Sequence, residues 1–367
     1  MKKNELASLL VYALMIVVAI VIGLCIIRPA FEYYHVEIGV GIGFVLGAIL
    51  GGVIFNAIIF ELGHVIGAKL GKYNITSVNI LWCNFYRNNE NKWKFRFQSY
   101  DGFVGETKIV PKSEDSNPKP YLFLGTMLYL IEAIVGVLLF VFISPQTEWN
   151  YFPIIILAVG GMIAIYQIVP TQLDNINDGY RLTLLGNKAI NRVAFNEMLR
   201  IEDEERKGNK NIEVKVFDEI TPYTAEVNFL TVYQYLSAKK YDEAIKIIDN
   251  ILNHKENVSM KTARRVEAQK LFMLLLTKPI DEVKVYYEEN TTMESRRFFA
   301  EDNSMESLRA YMLIAGLLDD SYGEVIYCIN RKDKAMKRCL TSRKATEEIL
   351  FSEAKAKLKE VHPDWTI

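Results

Sequence analysis

The chain reads as a mainly α-helical protein in two parts. Four membrane-spanning helices with a small β-rich insert come first, and a soluble α-helical domain follows. Three observations carry this reading. Four long stretches are almost free of charge: Ala7–Ile27, Ile38–Phe60, Tyr121–Ser144, which holds only Glu132, and Tyr151–Pro170. Between the second and third, β-branched and aromatic residues gather in short runs. Beyond about residue 185 the composition turns to mixed charge with helical amphipathic patterning. The domains are therefore set at 1–184 and 185–367.

Each apolar run matches the ~20 residues of helix that a hydrocarbon core requires. Buried helices of soluble proteins seldom sustain such runs. The first run is long for the apolar part of a signal peptide and lacks a small-residue cleavage site before Arg28, so it reads as a retained helix. The predicted spans are about 7–27, 38–60, 121–144 and 151–170. Basic residues set the orientation. They concentrate at Lys2 and Lys3 and between the second and third runs, from Lys69 to Lys119, whereas the two short loops hold only Arg28. A multi-pass cell-membrane protein with both termini cytoplasmic follows. With Lys+Arg 43 against Asp+Glu 44, no basic excess points to nucleic acid. Cys25, Cys83, Cys328 and Cys339 have neither zinc-knuckle nor C-x-x-C spacing and are expected as reduced, packed thiols.

Gly39, Gly43, Gly47 and Gly51 recur every four residues, a small-residue ridge expected to receive a neighbouring helix of the same bundle, with homodimerisation as the alternative. The helix should run on past His64 through Ala68 to Gly71. The β-rich insert, 72–117, then offers strands at Ser77–Phe85, Trp93–Gln98 and Gly105–Val110, with turns at Asn88–Asn91 and Asp101-Gly102. Such an antiparallel sheet at the cytoplasmic face is either a lid or an edge to which an extended substrate could add.

In the second half, helices are expected at Ala225–Ala238, Tyr241–Leu252, Lys261–Leu276, Ile280–Glu289, Ser304–Leu318, Tyr322–Asn330 and Thr346–Val361. The segment Tyr235–Ile245 resembles the helix-turn-helix of a tetratricopeptide repeat, which makes the domain TPR-like and a docking surface for a cytosolic protein partner. Basic runs such as Arg331–Arg338 read as solvated helix faces.

Three features carry chemistry. Phe60-Glu61-Leu62-Gly63-His64 is an H-E-x-x-H helix with its first histidine replaced. In that pattern two histidines one turn apart hold a metal and the glutamate activates water, but a phenyl ring has no lone pair to donate. Asp178-Gly179 follows the fourth run, preceded by Pro170, Asp174 and Asn177. Glu132 sits in mid-span, where a charge costs about 2.5–3.5 kcal/mol on insertion scales, so it should face the bundle. Its expected partner is Asn56 or Gln167, and lining a substrate path is the other reading. No P-loop, dinucleotide fingerprint or nucleophile elbow is present.

Over about residues 37–185 these parts resemble the site-2 protease family of intramembrane zinc metalloproteases. The resemblance rests on F-E-L-G-H, the following Ala68-Lys69-Leu70-Gly71, the strand-rich insert, Gly125 in the third span, and the I-V-P…N-D-G segment ending at Asp178-Gly179. It implies zinc held by two histidines and one aspartate, with an open position for water. It also implies a substrate that is a membrane-spanning peptide or regulatory protein, cut near the cytoplasmic face. Carried over by motif, His64 and Asp178 are metal ligands, with Asp174 a weaker substitute. Glu61 is the catalytic base, and Phe60 stands where the missing ligand belongs.

Nothing restores the ligand set. Asn56 is a neutral amide and a poor zinc ligand. His35 is expected on the opposite membrane side, His254 and His362 lie in the soluble half, and Cys83 could approach only if the sheet folds back. The expectation is therefore an intramembrane metalloprotease that is inactive as this sequence stands. Phe60 is either natural, giving a pseudoprotease that binds a membrane partner without cutting, or introduced into an active enzyme. A metal held by Glu61, His64 and Asp178 would remove the base. A reading of another class is a membrane-anchored scaffold whose helical domain recruits the partner.

Overall fold

The computed structural model describes residues 3–88, 90–97, 105–142, 147–170, 177–209, 212–339 and 341–367. The expected turn at Asp101-Gly102, the alternative ligand Asp174 and the N-terminal Lys2 lie outside the described residues. The chain divides into two compact units, Met1–Arg192 and Val193–Ile367.

The first unit opens with α1 (Lys3–Ile22), which passes through a π turn, Gly23–Ile27, into α2 (Arg28–Tyr33). Pro29, near the start of α2, has no N–H to donate, and the wider turn just before it absorbs the break. Next come α3 (Ile38–Leu70), β1 (Tyr73–Ile80), β2 (Cys83–Arg87), β3 (Trp93–Phe97), β4 (Gly105–Pro111), α4 (Lys119–Phe142), α5 (Phe152–Ile168) and α6 (Asp178–Asn187). Four segments, Leu9–Tyr33, Ile38–Leu70, Lys119–Phe142 and Glu148–Ile168, are long and apolar enough to cross a membrane. Their outward faces carry exposed Leu, Ile and Val, as helices solvated by lipid do.

Close packing in this bundle is not where the four-residue glycine spacing places it. A Cβ at Gly39, Gly43 or Gly47 would meet nothing within 4 Å, and one at Gly51 would only touch Phe152. The tight approach lies farther along α3, where a Cβ at Gly63 would fall 2.5 Å from the Gly125 backbone of α4. Spacing shows which residues share a helix face, but not what covers it.

The four strands form one antiparallel sheet in the order β3-β2-β1-β4. The stretch expected as one strand, Ser77–Phe85, is two strands that turn back at Leu81-Trp82, with Leu81 at φ 53. No glycine, proline or asparagine marks that turn. A bulge separates Ile75 from Ser77 where β1 pairs with β4.

The second unit takes up most of α7 (Ala189–Arg206), then α8 (Pro222–Ser237), α9 (Tyr241–Asn253), α10 (Met260–Thr277), α11 (Ile280–Asn290), α12 (Met293–Glu301), α13 (Met305–Leu317), α14 (Tyr322–Arg338) and α15 (Thr341–Val361). Thr221, Ser259, Thr292 and Ser304 cap α8, α10, α12 and α13, each side chain accepting a backbone N–H in the first turn. The core gathers Val232, Leu236, Ile248, Phe272, Leu313 and Phe351. Helices α7 and α12 have no counterpart among the expected helices, and α12 is only nine residues long. The basic run is more than a solvated face: Arg331 donates to the carbonyls of Ala300, Glu301 and Asp302, closing the end of α12. All four cysteines are free.

Candidate functional site

Glu61 and His64 are three residues apart on α3, so one helix face presents both toward β4 and α6. His64 Nε2 lies 3.0 Å from Asp178 Oδ2, a contact in which the ring N–H donates to the carboxylate. His64 Nδ1 lies 3.5 Å from Glu61 Oε1. The structure thus brings together the three polar residues singled out in the sequence, and Glu61 and His64 are buried.

Asp178 is placed by its neighbours. Asn177 caps α6 by accepting from the Tyr180 N–H, and its amide donates to the Tyr166 and Val169 carbonyls at the end of α5. This leaves Asp178 in the first turn of α6, where a carboxylate is favoured by the helix dipole. Gly179 is required by space, since a Cβ there would fall 2.1 Å from the Ile168 carbonyl oxygen. Gly125 clears room for the imidazole, where a Cβ would fall 2.9 Å from His64 Nε2. Arg181 stands at 3.9 Å from Asp178 Oδ1.

The sheet supplies partners that the sequence did not reveal. Thr107 Oγ1 of β4 donates to Glu61 Oε2 at 2.5 Å, and Tyr121 of α4 donates its hydroxyl to the Thr107 carbonyl at 2.8 Å. Gly105 passes so close to Glu61 that a Cβ would fall 2.7 Å from the carboxylate. Thr107 lies 46 positions from Glu61, and no local pattern links the two. The Tyr121 ring also leans on His64, with centroids 5.2 Å apart.

Phe60 is buried in an apolar cluster with Ala57, Tyr129, Ile163 and Ala164. Its ring lies nearly parallel to that of Tyr129, with centroids 6.0 Å apart. The residues present do not fit a three-ligand zinc site. The Phe60 position is packed hydrocarbon, His64 Nε2 is in direct contact with Asp178, and His64 Nδ1 is buried with no hydrogen-bond partner among the described residues. Among the described residues no group of three or more His, Cys, Asp or Glu side chains is arranged to hold a metal ion. Asn56 donates its amide to the Gly52 and Ile156 carbonyls, and its Oδ1 faces Gly160 of α5, where a Cβ would fall 2.1 Å from it, with no hydrogen-bond partner among the described residues. His35 occupies the turn after α2 at φ 51, His254 contacts the Asn250 carbonyl, His362 stacks on Trp365, and Cys83 begins β2.

Glu132 does not form the pairing expected for it. Asn56 is engaged elsewhere, and Glu132 Oε2 has no hydrogen-bond partner among the described residues. Compared with known proteins, the chain matches no family model, no curated protein and no solved structure.

Chemically, the arrangement is a row of polar contacts, with hydrogen bonds from Thr107 to Glu61 and from His64 to Asp178 and a longer approach of His64 to Glu61, that ties β4, α3 and α6 together.

Proposed function

We propose that this protein is a site-2-protease-like pseudoprotease, a membrane protein that binds a membrane-embedded peptide or regulatory protein without cleaving it. One observation carries the reading: Phe60, at the position of a metal ligand, is part of an apolar cluster stacked on Tyr129. Zinc in a complete site of this kind supplies a water acidic enough to attack a peptide carbonyl. Here Glu61 accepts a hydrogen bond from Thr107, and His64 is held by Asp178. These groups orient one another and lack the third donor. The orientation expected from basic residues, with both termini cytoplasmic, is part of the proposal, as is a cytosolic partner for the helical unit.

Binding without cutting has a physical basis in the sheet. Among the described residues β3 pairs with β2 on one side only, which offers its outer backbone N–H and C=O groups to an added strand. The test uses the full chain in nanodiscs with a fluorogenic single-span peptide and a photo-crosslinker at Arg96. Capture of intact peptide, with no cleavage above a Glu61→Ala control, supports the proposal. Cleavage that Glu61→Ala abolishes makes the protein an active enzyme. Neither capture nor cleavage reduces the membrane unit to an anchor for the helical one.

A further inference from the structure

We infer that Glu132, at mid-depth on α4, is the docking point for a basic residue in the membrane-spanning segment of a partner protein. This rests on the proposed binding of a membrane partner and names its chemistry: an apolar single-span helix with one lysine or arginine near its middle.

Depth limits what can reach Glu132. At 1.5 Å per residue it lies about 20 Å from the Lys119 end of α4 and about 15 Å from the Phe142 end. With a hydrocarbon core of about 30 Å, neither a lipid headgroup nor a water-borne ligand comes that far, so a donor must arrive on a spanning segment.

The side chain is unmatched within the chain. Glu132 Oε2 is buried and has no hydrogen-bond partner among the described residues. A carboxylate there lacks a donor, and a carboxylic acid protonated on that oxygen lacks an acceptor, so neither protonation state satisfies Oε2. The nearby polar groups are committed. Tyr129, one turn earlier on α4, donates to the Leu157 carbonyl, and the Asn56 amide donates to the Gly52 and Ile156 carbonyls.

No counter-charge is available either. The basic side chains of the four spanning segments are Arg28, His64, Lys69 and Lys119. Arg28 pairs with Glu32 at 2.7 Å, and His64 is held by Asp178. Lys69 and Lys119 sit at the end of the bundle where Gly67 abuts Pro120.

The surface around Glu132 suits a helix. Leu128, Glu132, Val135 and Leu139 follow one another at four, three and four residues, so they share one stripe of α4. The stripe beside it is covered: a Cβ at Gly136 would fall 2.5 Å from the Leu157 side chain, and Phe140 meets Tyr151 with centroids 5.7 Å apart. Val135 and Leu139 are instead 49% and 53% exposed. Lipid covers the apolar members of this stripe but leaves the acid unmatched. An apolar helix with one base at the same depth matches both. A second copy of this chain does not, because it would bring another carboxylate to that level.

The test uses the full chain in nanodiscs with a photo-crosslinker in place of Leu139 or, separately, of Arg96 on the sheet. The probes are polyleucine single-span peptides with a central lysine, norleucine or glutamate. The expected result is capture of the lysine peptide at Leu139 about tenfold above the norleucine peptide. Glu132→Gln should remove that preference, and Glu132→Lys should transfer it to the glutamate peptide, an exchange that misfolding cannot produce. Equal capture of the lysine and norleucine peptides at Leu139, a lysine preference that survives Glu132→Gln, or capture at Arg96 alone overturns the Glu132 docking point and leaves the binding of membrane peptides standing. A preference lost in Glu132→Gln but not transferred in Glu132→Lys marks a structural role and overturns it as well. Capture at neither position overturns membrane-peptide binding, and the docking point with it.

Discussion

Each unit buries a cluster of polar side chains, and the two clusters are built from different chemistry. In the helical unit, Arg309 donates from Nε to Glu347 Oε2 at 2.9 Å and from Nη2 to Gln269 Oε1 at 2.5 Å, with its guanidinium 4.2 Å above the Phe272 ring. Arg309 and Glu347 are fully buried. In the membrane unit the members are Thr107, Glu61, His64 and Asp178. A guanidinium is permanently charged and offers only donors, so the first cluster holds helices together, its one carboxylate taken by Arg309 and not free to bind a metal or move a proton. Imidazole and carboxylate can do both. On the reading proposed above, the second cluster holds Glu61, His64 and Asp178 of a hydrolytic site, and Phe60, in apolar packing, stands where a further ligand would be. Burial of charge alone therefore does not distinguish structure from function. The donor set does.

The largest expected effect breaks the helical cluster. Arg309→Met strands a buried carboxylate and should destabilise the helical unit by about 3–5 kcal/mol, whereas adding Glu347→Leu should recover most of the loss. Amide hydrogen exchange on α10 and α13 reads both. If the double variant is no better than the single, the pair is not a self-contained unit. The matching change in the membrane cluster is milder. Asp178→Asn keeps an acceptor for the His64 N–H and should cost about 1–3 kcal/mol in protection of α6.

A steric change sharpens the same contrast. Gly125→Ala pushes a methyl group against His64 Nε2 and should cost about 1–3 kcal/mol through overpacking. In a Phe60→His background it should also lower zinc occupancy, which a change of equal stability cost in the helical unit would leave alone. Smaller again are the caps: Ser259→Ala and Thr292→Ala should each loosen the first turn of α10 or α12 by about 1 kcal/mol, measured by exchange of those amides.

The smallest effect is chemical. Burial pushes the Cys328 thiol up to about 12 and the Cys339 thiol up to about 11. Only the thiolate reacts, so at pH 8 both should resist iodoacetamide in the folded protein and label after denaturation. Rapid labelling of the native chain would show that the core around α14 opens readily.

The sequence made some of this legible and hid the rest, for identifiable reasons. The four spans show because a charge-free run is unmistakable, and Asp178 shows because Asn177 and Gly179 flank it for structural reasons that persist in the fold: one caps α6 and the other clears the Ile168 carbonyl. The split at Leu81-Trp82 stayed hidden because neither residue signals a turn. Gly39, Gly43 and Gly47 share a face that no helix of this chain covers, because periodicity carries no information about the neighbour. Thr107 and Tyr121 reach Glu61 and His64 only once the sheet has folded back along α3.

The most direct test of the account is the zinc content of the full-length protein beside its Phe60→His variant, both purified without chelator and measured by plasma mass spectrometry. The account predicts essentially no zinc in the parent and about one per chain in the variant, where a nitrogen ligand replaces the phenyl ring. About one zinc per chain in the parent would contradict it, because the pairing of His64 with Asp178 would then have to give way to a metal and another donor.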